Sequence, residues 1–126
     1  MPRRFDHIDL RVPNLEFVSE FYRKLLPVLG FKQNLTVEGW LQYYAEGEGP
    51  TEFFGVTESR SHLANENRIA FWVDSVIEVN AIARLLREIG AKNIEGPGYE
   101  DSSAYYAVFF EDPAGNRLEV CHRSKN

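Results

Sequence analysis

The sequence predicts an α+β protein made of two tandem βαβββ modules, whose strands form a curved mixed sheet, a cup, with the helices outside. Three observations lead there. An alternating apolar/polar segment followed by a helical period occurs twice, at Phe5–Val12 with the residues after it and at Arg68–Val73 with the residues after it. Offsetting the chain by about 60 residues lays Leu29-Gly30-Phe31-Lys32 on Ile89-Gly90-Ala91-Lys92, and Pro13 on Asp74. Near the C-terminus two apolar runs flank Asp112-Pro113-Ala114-Gly115-Asn116, which reads as a β-hairpin loop.

In the first half, Ile8, Leu10 and Val12 share one strand face, and Phe5, His7, Asp9 and Arg11 share the other. Polar groups in a row on one face must meet water or a polar cavity. Pro13 ends the strand, and Asn14 is a suitable N-cap for the helix that follows. Leu15, Val18, Tyr22, Leu25 and Leu29 recur at three- and four-residue spacing, so a helix runs from about Leu15. Pro27 should end or kink it near Leu26, with Gly30 closing the segment. Phe31–Val37, Gly39–Ala45 and Glu52–Thr57 read as three shorter strands, separated by Glu38-Gly39 and by Gly47-Glu48-Gly49-Pro50.

Glu58–Asn67 is polar and reads as a linker, after which the pattern restarts. Ile69, Phe71 and Val73 oppose Arg68, Ala70 and Trp72. Ser75 with Glu78 makes a capping box, and Val79, Ile82, Ala83, Leu86 and Ile89 mark a helix ending at Gly90. The loop former Gly96-Pro97-Gly98 precedes the closing hairpin. Pairing Glu111 with Arg117 across that hairpin sets Phe109 opposite Glu119 and Ala107 opposite Cys121. Glu119 then points away from Leu118 and Val120, on the same face as Tyr105, Phe109 and Cys121. Each module has one sheet face covered by its helix and one bare, and two bare faces curled together give a polar-lined cup.

At 126 residues the chain is expected to be one domain: a first module over about 5–57, a linker over 58–67 and a second module over 68–122. A hydrophobic fraction of 44% and a charged fraction of 26% are globular values. With 19 acids against 14 bases and no basic run, neither nucleic acid nor a membrane is an expected partner. The lone Cys121 precludes an intrachain disulfide, and no apolar run follows Met1-Pro2-Arg3-Arg4 as it would in a signal peptide. A cytoplasmic location is the expectation.

Two βαβββ modules, Asp6-His7-Ile8-Asp9-Leu10, Leu29-Gly30-Phe31 and Asp112-Pro113-Ala114-Gly115-Asn116-Arg117-Leu118-Glu119 together resemble the vicinal oxygen chelate superfamily. That group includes glyoxalase I, extradiol dioxygenases, fosfomycin-resistance enzymes and bleomycin-resistance proteins. The resemblance places His7 and Glu119 at metal-ligand positions, implying a divalent ion such as Ni, Zn, Mn, Fe or Co. It places Arg68 at a third ligand position, where a permanently protonated guanidinium cannot ligate. The carboxylate that glyoxalase I needs in the first module falls on Gly55. It also implies a small-molecule ligand and a homodimer.

Each candidate has a second reading from the residues alone. Glu119 can pair with Arg68 instead of a metal. Arg68, with Arg11 near it, can hold a substrate carboxylate or phosphate, or form structural ion pairs. Trp72, Tyr105 and Phe109 either line the pocket or pack as ordinary core. His62, in polar sequence, is an exposed loop residue or a ligand swung in, and His122 faces away from the cup. Two functions follow. One is a metal-assisted enzyme of lyase, isomerase or dioxygenase type acting on a small oxygenated substrate, with Glu119 at the reacting centre. The alternative is a metal-free, antibiotic-type binding protein of the bleomycin-resistance kind. The ligand pair His7 and Glu119 tilts the sequence reading to the enzyme, with glyoxalase I chemistry itself disfavoured by Arg68 and Gly55.

Overall fold

The computed structural model describes residues 4–124. The segment Met1–Arg3, on which the signal-peptide reading rests in part, lies outside the described residues. The chain divides into two compact units, 1–63 and 64–126, and each repeats the predicted order of strand, helix and three strands.

The first unit contains β1 (His7–Val12), α1 (Leu15–Val28), β2 (Gln33–Asn34), β3 (Trp40–Tyr44) and β4 (Phe53–Glu58). Its sheet runs β1-β4-β3-β2, with β1 and β4 parallel and the other pairs antiparallel. One face is apolar because alternation sends Val12, Leu41, Tyr43, Phe54 and Val56 the same way, where they meet Val18, Tyr22, Leu25 and Leu26 of α1. Each such buried aliphatic side chain contributes about 1.5–3 kcal/mol. Asn14 caps α1 by accepting from the Phe17 N–H at 3.2 Å, and Glu58 accepts from the Leu15 N–H at 2.9 Å. A carboxylate at that end also favours the helix dipole.

Two local expectations change here. Pro27 does not end α1 near Leu26, since the helix runs to Val28 with Leu29 as its cap. In the last turn its missing N–H removes only one bond, and the Leu26 and Pro27 carbonyls still accept from Leu29, Gly30 and Phe31. The strand expected over Phe31–Val37 shrinks to two residues and one bridge at Val37. Asn34 diverts the backbone, its Oδ1 accepting from the Thr36 N–H at 3.0 Å.

The second unit contains β5 (Arg68–Trp72), α2 (Val76–Ile89), β6 (Lys92–Tyr99), β7 (Tyr105–Glu111) and β8 (Arg117–Arg123), in the order β5-β8-β7-β6. Val79, Ile82, Ala83 and Leu86 of α2 are buried, as are Val108, Phe110, Leu118 and Val120 of the sheet. Ser75 accepts from the Glu78 N–H at 3.1 Å, while the Glu78 carboxylate reaches back one residue further than a simple capping box, to the Asp74 N–H at 2.8 Å. Gly90 closes the helix at φ +94°, a left-handed conformation that glycine adopts without cost.

Gly96-Pro97-Gly98 is not a loop before the hairpin; it lies inside β6. β6 is an edge strand, so a proline there breaks no interior ladder. The strand takes three steps from Lys92 to Glu95 and three from Glu95 to Gly98, where β7 takes two each time. Those two bulges absorb the irregular sequence. The β7–β8 register, by contrast, is the predicted one: Glu111 opposite Arg117, Phe109 opposite Glu119, Ala107 opposite Cys121. The loop fixes it. Asp112 is fully buried, its Oδ1 accepting from the Ala114 and Asn116 N–H groups at 2.8 and 2.9 Å, and Oδ2 from the Asn116 amide at 3.0 Å.

Candidate functional site

In the second unit the face away from α2 is organised in rows across the strands. Arg68 pairs with Arg117, which pairs with Glu111; Ala70 pairs with Glu119, which pairs with Phe109; Trp72 pairs with Cys121, which pairs with Ala107. Glu119 is only 5% exposed, so its carboxylate needs a partner. That partner is Tyr105, whose hydroxyl donates a short hydrogen bond to Glu119 Oε2. Burial first, and then the hydrogen bond to Glu119, push the Tyr105 phenol well above its usual range. The Arg123 guanidinium lies 3.8 Å from the Tyr105 ring centroid and completes the group. Burial, followed by the charge of Glu119, also raises the Cys121 thiol, which holds it in the protonated, unreactive form.

Arg68 does not pair with Glu119. Its guanidinium sits 4.8 Å over the ring of Phe109, and no ion pair to it occurs among the described residues. Arg68, Phe109, Tyr105 and Glu119 thus share one sheet face, as alternation predicts. Trp72 is on the same strand but stands at the end of the sheet, 54% exposed; its ring lies 4.9 Å from that of His122 and its indole N–H donates to Asp74 at 3.1 Å. His122 is fixed by a 2.8 Å hydrogen bond between its Nδ1 and the Val73 carbonyl.

The first unit has the same rows with different contents. His7 pairs with Phe53, which pairs with Tyr44; Asp9 pairs with Gly55, which pairs with Gln42; Arg11 pairs with Thr57, which pairs with Trp40. The first row is an aromatic stack, with His7 on Phe53 at 4.6 Å and 5° and Phe53 on Tyr44 at 4.6 Å. His7 Nδ1 is 2.8 Å from Asp6 Oδ2, an arrangement that directs Nε2 outward. Arg11 is engaged by Asp9, through Nε at 3.1 Å and Nη2 at 2.8 Å, and Thr57 donates to the other Asp9 oxygen at 2.7 Å. It is therefore not a free cation waiting for a ligand. His62 is half-buried, its backbone N–H bonded to Ser59.

At Gly55 the space is taken. A Cβ there would lie 2.7 Å from Trp40 Nε1, so the indole occupies the place where a side chain would project. Trp40 Nε1 is buried without a hydrogen-bond acceptor. Among the described residues no three His, Cys, Asp or Glu side chains converge to hold a metal ion. With Arg68 and Gly55 at two positions where the resemblance calls for donors, the side chains present do not make up a full metal centre.

Two residues escaped the sequence reading. Arg117 looked like a hairpin flank, although its parity with Glu119 was visible. Trp40 looked like one aromatic among many, and nothing local announces which glycine it covers.

The family follows from comparison with known proteins. The model of the Glyoxalase/Bleomycin resistance protein/Dioxygenase superfamily matches residues 4–120, and the chain belongs to that superfamily. Its members bind small molecules, often with divalent metals and often as dimers. No curated protein matches the sequence. Among solved structures, a glyoxalase/bleomycin resistance protein from Albidiferax ferrireducens T118 is similar at TM-score 0.79 and 24% identity, covering 97% of this chain and all (100%) of that one. Fosfomycin resistance protein FosX from Listeria monocytogenes is similar at TM-score 0.74 and 17% identity, covering 98% and 96%. A glyoxalase/bleomycin resistance protein/dioxygenase family enzyme from Burkholderia phytofirmans PsJN is similar at TM-score 0.73 and 14% identity, covering 94% and 98%. At these identities the likeness concerns the fold. No described helix is long and apolar enough to cross a membrane.

Proposed function

We propose that this chain is a small-molecule-binding member of the superfamily that holds its ligand without the full metal centre of catalytic members. The observation that carries the proposal is Arg68: a permanent cation at a ligand position, laid on Phe109 rather than on Glu119. Gly55, closed by Trp40, supports the same reading. Arg68, Phe109, Tyr105 and Glu119 would contact the ligand. Arg11, tied to Asp9, and Trp72, tied to Asp74 and His122, take no part in it. A homodimer in a reducing cytoplasm belongs to the proposal, and light scattering of the purified protein tests the dimer.

A second reading is the metal-assisted enzyme of lyase, isomerase or dioxygenase type. The Asp6–His7 contact favours it, because a carboxylate on one imidazole nitrogen orients the other for a metal. Metal content of protein purified without chelators separates the two. The binding-protein reading expects sub-stoichiometric metal, no thermal stabilisation by Ni²⁺, Mn²⁺, Fe²⁺, Zn²⁺ or Co²⁺, and stabilisation by a member of an antibiotic and small-oxyanion panel. One equivalent of metal, lost in His7→Ala and in Glu119→Ala, would establish the enzyme reading instead.

A further inference from the structure

Arg68 and Arg117 are direct cross-strand partners on β5 and β8, so two guanidinium groups leave the same sheet face side by side. Like charges in that position repel unless something stands between them. Neither has an ion-pair partner among the described residues, although Glu95 and Glu111 line the same concavity. The Arg68 guanidinium lies 4.8 Å from the centroid of the Phe109 ring, a contact that positions it on this face. The concavity has a volume of about 210 Å³, below the ~300–1,000 Å³ typical of pockets that swallow a drug-sized molecule. It fits a headgroup.

We propose that Arg68 and Arg117 form a clamp for one oxyanion of the ligand, a carboxylate or phosphate, received by the two guanidinium forks over Phe109. This rests on the small-molecule-binding reading and names the chemical group that the ligand presents. Two forks match the oxygens of such a group, and the anion removes the repulsion between them. Glu95 and Glu111 restrict the clamp to a single small headgroup and reject a polyanion, whose further charges would meet carboxylates. Asn93, at φ +50°, also lines the concavity.

The test is a titration of the full chain with inorganic phosphate, followed by backbone and arginine side-chain NMR at constant ionic strength. The clamp requires saturable shifts centred on Arg68, Phe109 and Arg117. Arg68→Gln and Arg117→Gln should each weaken binding about tenfold or more, the effect of removing a charged hydrogen-bond partner. Arg117→Lys should weaken it nearly as much, since an ammonium lacks the fork. Arg87→Gln, on the exposed side of α2, should leave it unchanged. Non-saturable shifts, or wild-type affinity in both glutamine variants, would overturn the clamp. Repeating the titration after chelator treatment keeps the two claims apart: stoichiometric bound metal with an intact Arg68-dependent phosphate response removes only the metal-free reading.

Discussion

The two units share one backbone plan and differ in almost every side chain on the face away from the helix. Row by row, His7–Phe53–Tyr44 becomes Arg68–Arg117–Glu111, and Asp9–Gly55–Gln42 becomes Ala70–Glu119–Phe109. In the first unit the face is internally settled: rings stack, Asp9 is shared by Arg11 and Thr57, and an indole fills the space over Gly55. In the second, one carboxylate is buried against Tyr105 and two arginines are cross-strand neighbours with no ion pair to either among the described residues. Helix-facing residues are interchangeable apolar groups, because burial asks only for volume and periodicity. The other face carries function, and duplication leaves it free to diverge.

The contrast can be broken most severely at Gly55. Gly55→Glu, which puts in the first unit the carboxylate that the second has at Glu119, should cost about 3 kcal/mol or more in chemical denaturation. The new side chain must displace Trp40 and bury a charge. Combining it with Trp40→Ala should recover part of the loss; an undiminished cost in the double variant would show that the indole is not the obstacle.

A smaller effect separates the units by pH. The Tyr105 phenol is raised in the folded state, so its contribution is fully present below the ordinary phenol value of 10.0 and is lost as pH rises from there through the folded value. Unfolding free energy should therefore decline above pH 10.0, and Tyr105→Phe should flatten that decline. A similar slope in Tyr105→Phe would place the proton elsewhere. The smallest effect belongs to Arg11→Ala. The Arg11–Asp9 pair is partly exposed, and exposed pairs contribute about 0–1 kcal/mol. A loss above that range would mean that the first unit's face depends on this pair.

Much of the frame was legible without coordinates. Asp112, Gly115 and Asn116 specify their loop through contacts within five residues, so the hairpin register and the face of Glu119 could be read directly. Ser75 and Asn14 mark helix starts for the same reason. Less was legible where local signals compete with edges: β2 and β6 are edge strands, and an Asx turn and a proline reshape them at little cost.

What the sequence determined by itself is therefore periodicity: which residues face a helix, which share the other face, and that His7, Arg68 and Glu119 stand on the latter. Tertiary structure alone decided the partners. That the Tyr105 hydroxyl donates to Glu119 is settled by packing within the β7–β8 hairpin, whereas Arg68 over Phe109 and Arg117 beside Arg68 depend on β8 lying between β5 and β7. Strand order joins residues about 50 positions apart through side-chain contacts that no local pattern encodes.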